Sequence, residues 1–172
     1  MNKKIFIGIG IFWLLIIVGF VAIKEFTLQT GTDVILKTRP VDPRDLFRGD
    51  YVILRYEIST LDLNILKTDS EFVENDKVYV SLDIDEEGYG NPTGVYRNQP
   101  EELYITGKVT NVRDNQLTVE YGIESYFVPE GQGRVIERQT GKSLSVKVAV
   151  DKFGKAAIKS VLIDGQEVRF ES

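Results

Sequence analysis

The chain has 172 residues, with 26 acidic against 21 basic side chains, a formal net charge of −5, and neither cysteine nor histidine. Those absences exclude disulfides, thiolate catalysis, Cys-based and His-based metal sites and the imidazole general base. Chemistry is left to carboxylates, lysine, tyrosine and backbone groups. The length suits one membrane segment plus one domain of ordinary size, and is too short for two good cores.

Met1 to Lys4 is short and basic, and Ile5 to Ile23 carries no charge. At about 1.5 Å per residue this run makes a helix roughly 28 Å long, matching the hydrocarbon thickness of a bilayer. A cleaved signal peptide is the competing reading. The run exceeds the usual apolar core of such peptides, and Val21-Ala22-Ile23-Lys24-Glu25-Phe26 offers no small-x-small cleavage site, so a retained anchor is expected. The predicted organisation is a transmembrane anchor over 1–24, meeting the lipid bilayer through residues 5–23, a juxtamembrane linker over 25–32 with Gln29-Thr30-Gly31 as its soft point, and an extracytoplasmic β-rich domain over 33–172. Lys3 and Lys4 predict a cytoplasmic N-terminus, an asymmetry that Lys24 weakens. Without those three lysines, 18 basic side chains face 26 acidic ones, a net −8. Such a domain is a poor nucleic-acid binder and is repelled by anionic lipid or wall polymer; solubility is the ordinary reason for the charge.

Asp33 to Thr38 reads as a first strand and leads into Arg39–Ile58, the stretch around which the domain is organised. Pro40 and Pro43 push Arg39 and Asp42 toward extended geometry and exclude a through-running helix. Arg44 to Arg48 has room for one helical or 3₁₀ turn, and Gly49-Asp50 supplies turn chemistry before a strand running to Ile58. Alternation there puts Val52, Leu54, Tyr56 and Ile58 on a core face and Tyr51, Ile53, Arg55 and Glu57 on the other.

The letters Gly49-Asp50-Tyr51-Val52-Ile53-Leu54-Arg55-Tyr56 spell the motif of the GDYXXLXY family, and the chain resembles that family there, at Pro40 to Asp45 and again over Tyr121 to Gly131. The resemblance implies a membrane-anchored bacterial protein with no assigned activity or catalytic residue, and a second block packed against the Gly49 turn. Its expected context is a bacterial envelope, with a neighbouring multi-span membrane protein as partner. Pro40-Val41-Asp42-Pro43 followed by Gly49-Asp50 is also similar to the serine-bearing turn of type I signal peptidases. The nucleophile's position is here Pro40, which has no nucleophilic oxygen, so the chemistry does not carry over.

Leu61 to Phe72 is ambiguous between irregular edge and short helix, and reads as loop. Lys77–Ile84 alternates as a strand with one buried face. It runs into Asp83, Asp85, Glu86 and Glu87, whose spacing departs from a calcium loop and predicts a solvated turn. The stretch onward through Pro100 reads as the longest irregular segment, and its Tyr89, Tyr96 and Arg97 are candidate binding-rim residues, together with Tyr126 and Glu130 of the later block. Leu103–Val112 and Gln116–Tyr121 flank Arg113-Asp114-Asn115 as a hairpin, with Gly107 as a bulge or close approach. Val135–Thr140 can form one short helix. The last third, from Leu144, is a meander turning at Asp151–Gly154 and Asp164-Gly165, with Lys142, Lys147, Lys155 and Lys159 on its wet face.

The predicted fold class is therefore mainly β: one N-terminal transmembrane helix, then an antiparallel sheet or partly closed barrel with one short helix. No cofactor, metal or catalytic residue is expected. Pro40, Asp42, Pro43, Gly49, Asp50, Tyr51, Leu54 and Tyr56 read as structural motif residues, with Asp42 and Asp50 capping turns and Asp45 paired to an arginine. The leading function is a non-catalytic accessory domain; the alternative is an envelope hydrolase or degenerate signal-peptidase-like enzyme using carboxylates with a lysine base such as Lys108 or Lys147.

Overall fold

The structure, a computed structural model, describes residues 3–39, 47–48, 51–127 and 144–168. One α-helix, α1 (Lys3–Thr30), opens the chain. Thirteen strands follow among the described residues: β1 Thr32–Lys37, β2 Phe47–Arg48, β3 Tyr51–Ile53, β4 Thr60–Asp62, β5 Lys67–Thr68, β6 Lys77–Ile84, β7 Gly90–Tyr96, β8 Tyr104–Arg113, β9 Gln116–Glu120, β10 Ser125–Phe127, β11 Leu144–Val150, β12 Ala156–Ile163 and β13 Gln166–Glu167. They form a four-stranded sheet (β1-β11-β12-β13), a three-stranded one (β10-β3-β2) and a six-stranded one (β4-β9-β8-β6-β7-β5) that curls into a half-barrel. All pairings are antiparallel except β5 with β7. The mainly β class holds; the short helix expected at 135–140 lies outside the described residues.

Most of the large apolar side chains described between Phe6 and Val21 stand exposed: Leu15 is 65% and Phe20 70% exposed. Burying a Leu or Phe is worth about 1.5–3 kcal/mol, so a helix leaving so many uncovered is suited to insertion in an apolar surrounding. It is long and apolar enough to cross a membrane. It does not stop at Lys24. Glu25 to Thr30, within the segment expected as a linker, continues the helix because nothing in Glu25-Phe26-Thr27-Leu28-Gln29 breaks it. Its stop is Gly31, whose N–H donates to the Thr27 carbonyl at 2.9 Å just before β1 begins.

One core joins the three sheets. Val34 and Leu36 of β1, Val146 and Val148 of β11, Val52 and Leu54 of the motif, and Val78, Val80, Ile105, Val109, Leu117 and Val119 of the curled sheet are all at most 1% exposed. The alternation at 52–58 holds, although the regular strand ends at Ile53 and Glu57–Ser59 is a 3₁₀ turn. Of Arg44–Arg48, where there is room for one helical or 3₁₀ turn, the described residues are Phe47–Arg48, which form β2 and pair with β3. β6 has the expected bounds. Leu61–Phe72 contains β4 and β5, and the segment to Pro100 contains β7, so neither is simply irregular. Gly107 is a close approach: a Cβ there would collide with Val119 Cγ1.

The wet face of the four-stranded sheet carries a cross-strand charge row. Asp33 meets Lys159 at 2.7 Å and Lys147 at 3.4 Å, and Lys147 reaches Glu167 at 3.8 Å. The Lys159 hydrogen bond, against some desolvation, holds the Asp33 carboxyl below its usual range.

Gly31 sets how tightly the helix meets the sheet. A Cβ at Gly31 would lie 2.6 Å from the Thr27 carbonyl oxygen and 3.0 Å from both the nitrogen and oxygen of Val150, all rigid backbone. Gly31→Ala should lower the urea midpoint of the full chain in detergent by the equivalent of roughly 1–3 kcal/mol. Gly10→Ala, where an added methyl meets nothing within 4 Å, should not.

Candidate functional site

The motif lies where the three sheets meet. At its upstream side, Thr38 leaves β1 by donating its N–H and hydroxyl to the Leu144 carbonyl, at 3.2 and 2.7 Å, and forms a bridge with Tyr56. Arg39 N–H then donates to the Arg55 carbonyl at 2.7 Å. Downstream, the 3₁₀ turn delivers the chain to β4 in the curled sheet. Its other side is closed by the second sequence block. β10 pairs with β3 in the register Ser125↔Ile53, Tyr126↔Val52, Phe127↔Tyr51, and Leu54 N–H donates to the Glu124 carbonyl at 2.8 Å.

Two buried tyrosines lock this seam reciprocally. The Tyr56 hydroxyl donates to the Ile123 carbonyl at 2.7 Å, and the Tyr121 hydroxyl donates to the Ile58 carbonyl at 2.6 Å. Each block thus supplies one donor and one acceptor to the other. Between them, the Glu124 carboxylate accepts the N–H groups of Tyr121 and Gly122, at 2.6 and 2.9 Å. Burial first, and the Glu124 charge second, push both tyrosine hydroxyls well above their usual pKa. They stay protonated donors. Burial also raises Tyr126, half-covered on β10.

A model of the family described as GDYXXLXY protein matches residues 13–161. The chain belongs to the GDYXXLXY family. No curated protein and no solved structure matches it. The match spans both halves of the tyrosine seam, and in this GDYXXLXY chain the motif's Leu and its second Tyr are core residues: Leu54 and Tyr56 are each 1% exposed. Of the other motif positions, Pro40, Asp42, Pro43, Gly49 and Asp50 lie outside the described residues, as does Glu130, and only the backbone of Tyr51 is described.

Of the described candidate rim residues, Tyr89 is held apart from Tyr96 and Arg97. Tyr89 and Arg97 flank β7 at opposite ends, about 25 Å apart at 3.3 Å per residue. Tyr89 bridges to Ile35 of β1 beneath the Lys37 ammonium, 4.8 Å from its ring centroid. Tyr96 folds its ring over Gly94. Arg97 pairs with Asp76 and lies over the Phe72 ring, while its N–H donates to Asp69 at 3.0 Å. Each has a structural partner. The acidic turn is likewise occupied: Asp85 Oδ1 accepts the N–H groups of Glu87 and Tyr89, at 3.1 and 2.8 Å. Among the described residues no group of three or more acidic side chains is placed to hold a metal ion.

Two contacts escaped the sequence reading. Tyr121 and Glu124 had a local signal, a carboxylate three residues after a tyrosine across a glycine, which suits closure of a tight turn. The Thr27–Asp151 contact, at 3.1 Å, joins residues 124 positions apart and had none. Beside it, Thr30, Thr32, Glu101, Glu102, Tyr104 and Lys152 border an open cleft of about 590 Å³ at the base of the helix.

The hydroxyls of Tyr56 and Tyr121 can be tested directly. Tyr56→Phe and Tyr121→Phe each orphan a buried carbonyl and should cost about 1–3 kcal/mol in urea unfolding at neutral pH. The unfolded chain releases these protons near pH 10.0 and the folded chain does not, so their contribution is complete below that pH and is lost as pH rises above it. The double variant should therefore show a shallower alkaline decline than the parent, measured by unfolding above pH 10.

Proposed function

We propose that this chain is a non-catalytic, membrane-anchored accessory domain of the bacterial cell envelope that partners a multi-span membrane protein. In this reading residues 1–24 are the anchor, the N-terminus is cytoplasmic, and residues 33–172 form the extracytoplasmic body.

The supporting observation is the junction. α1 runs without interruption into Thr30, Thr27 is 4% exposed against the body and donates to Asp151, and one residue separates helix from sheet. A domain joined by a flexible tether samples a wide volume, whereas this one is held at a set height and rotation above its helix. That arrangement suits a partner in the same membrane. The chemistry of the seam favours the same role: both carboxylate oxygens of Glu124 are taken by backbone donors, and the two tyrosines are held protonated. The lysines considered as bases stand apart. Lys147 lies between Asp33 and Glu167 on the four-stranded sheet, and exposed Lys108 is on β8, opposite Lys77 and Glu120.

Two measurements check the proposal. The full chain should remain in the membrane pellet through alkaline carbonate washing, and a protease added outside intact cells should remove the body. Solubilised in mild detergent at native expression, it should then co-purify with one multi-span membrane protein; recovery of the chain alone would overturn the accessory role.

A further inference from the structure

We propose that the turn between β11 and β12, Asp151 to Lys155, is a second membrane contact, with Phe153 entering the headgroup layer and the ammonium groups of Lys152 and Lys155 binding phospholipid phosphates. This rests on the anchor reading above.

Height above the bilayer is the first support. Thr27 lies four residues beyond Ile23, the last of the apolar run, hence about 6 Å above the hydrocarbon edge at 1.5 Å per residue. The headgroup layer is about 5–8 Å deep on each side, the difference between the full and hydrocarbon thicknesses. The hydrogen bond from Thr27 Oγ1 to Asp151 Oδ2 at 3.1 Å puts the base of the turn at that level. Phe26, the preceding residue, is itself 59% exposed there.

Construction of the turn is the second. Asp151 Oδ1 accepts the N–H groups of Phe153 and Lys155, both at 2.9 Å, and the Asp151 carbonyl accepts Gly154 N–H at 2.9 Å. β8 takes up the carbonyls: Tyr104 hydroxyl to Lys152 at 2.9 Å, Thr106 hydroxyl to Phe153 at 3.1 Å, and Thr106 N–H to Gly154 at 2.8 Å. Gly154, at φ +74°, is pressed onto Tyr104 where a side chain would collide. With most of its backbone groups hydrogen-bonded, the turn leaves Phe153 60% exposed, the Lys152 ammonium 5.1 Å from its ring centroid, and Lys155 exposed. An apolar ring between two ammonium groups suits the bilayer interface, where rings sit at headgroup level and lysines reach phosphate. The body as a whole is acidic, and Glu101 and Glu102 border the adjoining cleft, so the contact is local and suits zwitterionic phospholipid.

The chain has a single tryptophan, Trp13. Trp13→Phe combined with Phe153→Trp gives a fluorescent reporter in the turn; Trp13→Phe with Ile65→Trp gives one at the far end. Ile65 is 80% exposed, next to the β8–β9 hairpin tip through the bond from Leu63 to Asn115, about 30 Å along β8 from Tyr104. In phosphatidylcholine vesicles, lipid brominated near the headgroup should quench most of the emission of the turn reporter and leave the far-end reporter unchanged, while aqueous iodide should do the reverse. Adding Lys152→Glu and Lys155→Glu should remove the bromolipid quenching. Flotation of the same vesicles separates the two claims: a chain that does not float overturns the anchor and the contact with it. A floating chain whose turn reporter is quenched by iodide as strongly as the far-end reporter overturns the contact alone.

Discussion

A buried hydroxyl without an acceptor costs about 1–3 kcal/mol, and this fold is arranged around two that cannot be left unsatisfied. Tyr56 and Tyr121 sit in the core, too deep for water, and neither finds its acceptor in its own segment. Each reaches a carbonyl of the other's block. The bonds form only when the two blocks, some 65 residues apart, lie side by side, so the tyrosines act as a register check on the alignment of β3 with β10. Slipping that pairing by one residue would turn Val52 and Leu54 toward water and orphan both hydroxyls.

The position of this seam gives it influence beyond its size. Thr38 and Arg39 tie it to the four-stranded sheet, and Ser59–Thr60 carry the chain from it into the curled sheet. Three short β-systems, each with few neighbours, thereby share one core. A chain without disulfides has no covalent means of holding such systems together, and convergence at one dry junction supplies the alternative.

How much of this was legible from sequence divides along a physical line. Strands whose own residues alternate, such as Lys77–Ile84 and Leu144–Val150, can be read directly, because burial of one face writes itself into the pattern. β7 cannot: Gly90-Asn91-Pro92-Thr93-Gly94 has almost no β propensity and is a strand because β6 and β5 pair with it on both sides. Pro92 is accommodated opposite Leu82 next to an irregularity in register, where its missing N–H is tolerated. At the candidate site, the inward face of the motif was readable from period two, but the identity of its partners was not. The tyrosine pairing and the Thr27–Asp151 contact are long-range, and a single sequence carries no trace of which distant carbonyl a hydroxyl will meet.

The helix junction follows the same logic and links fold to role. Lys24 and Glu25 look like the end of an apolar segment, yet charge does not terminate a helix; absence of a breaker lets it continue until Gly31. The extra turns bring Thr27 against the body and make β1 a direct prolongation of α1, and β1 then delivers the chain to Thr38 at the edge of the tyrosine seam. One stretch of some three dozen residues therefore connects the apolar helix to the centre of the core without a flexible joint. Two states of such a body relative to its helix would require breaking the Gly31 close approach or the β1–β11 pairing, both built into the folded core. A rigid junction of this kind makes tilt of the helix and tilt of the body a single variable.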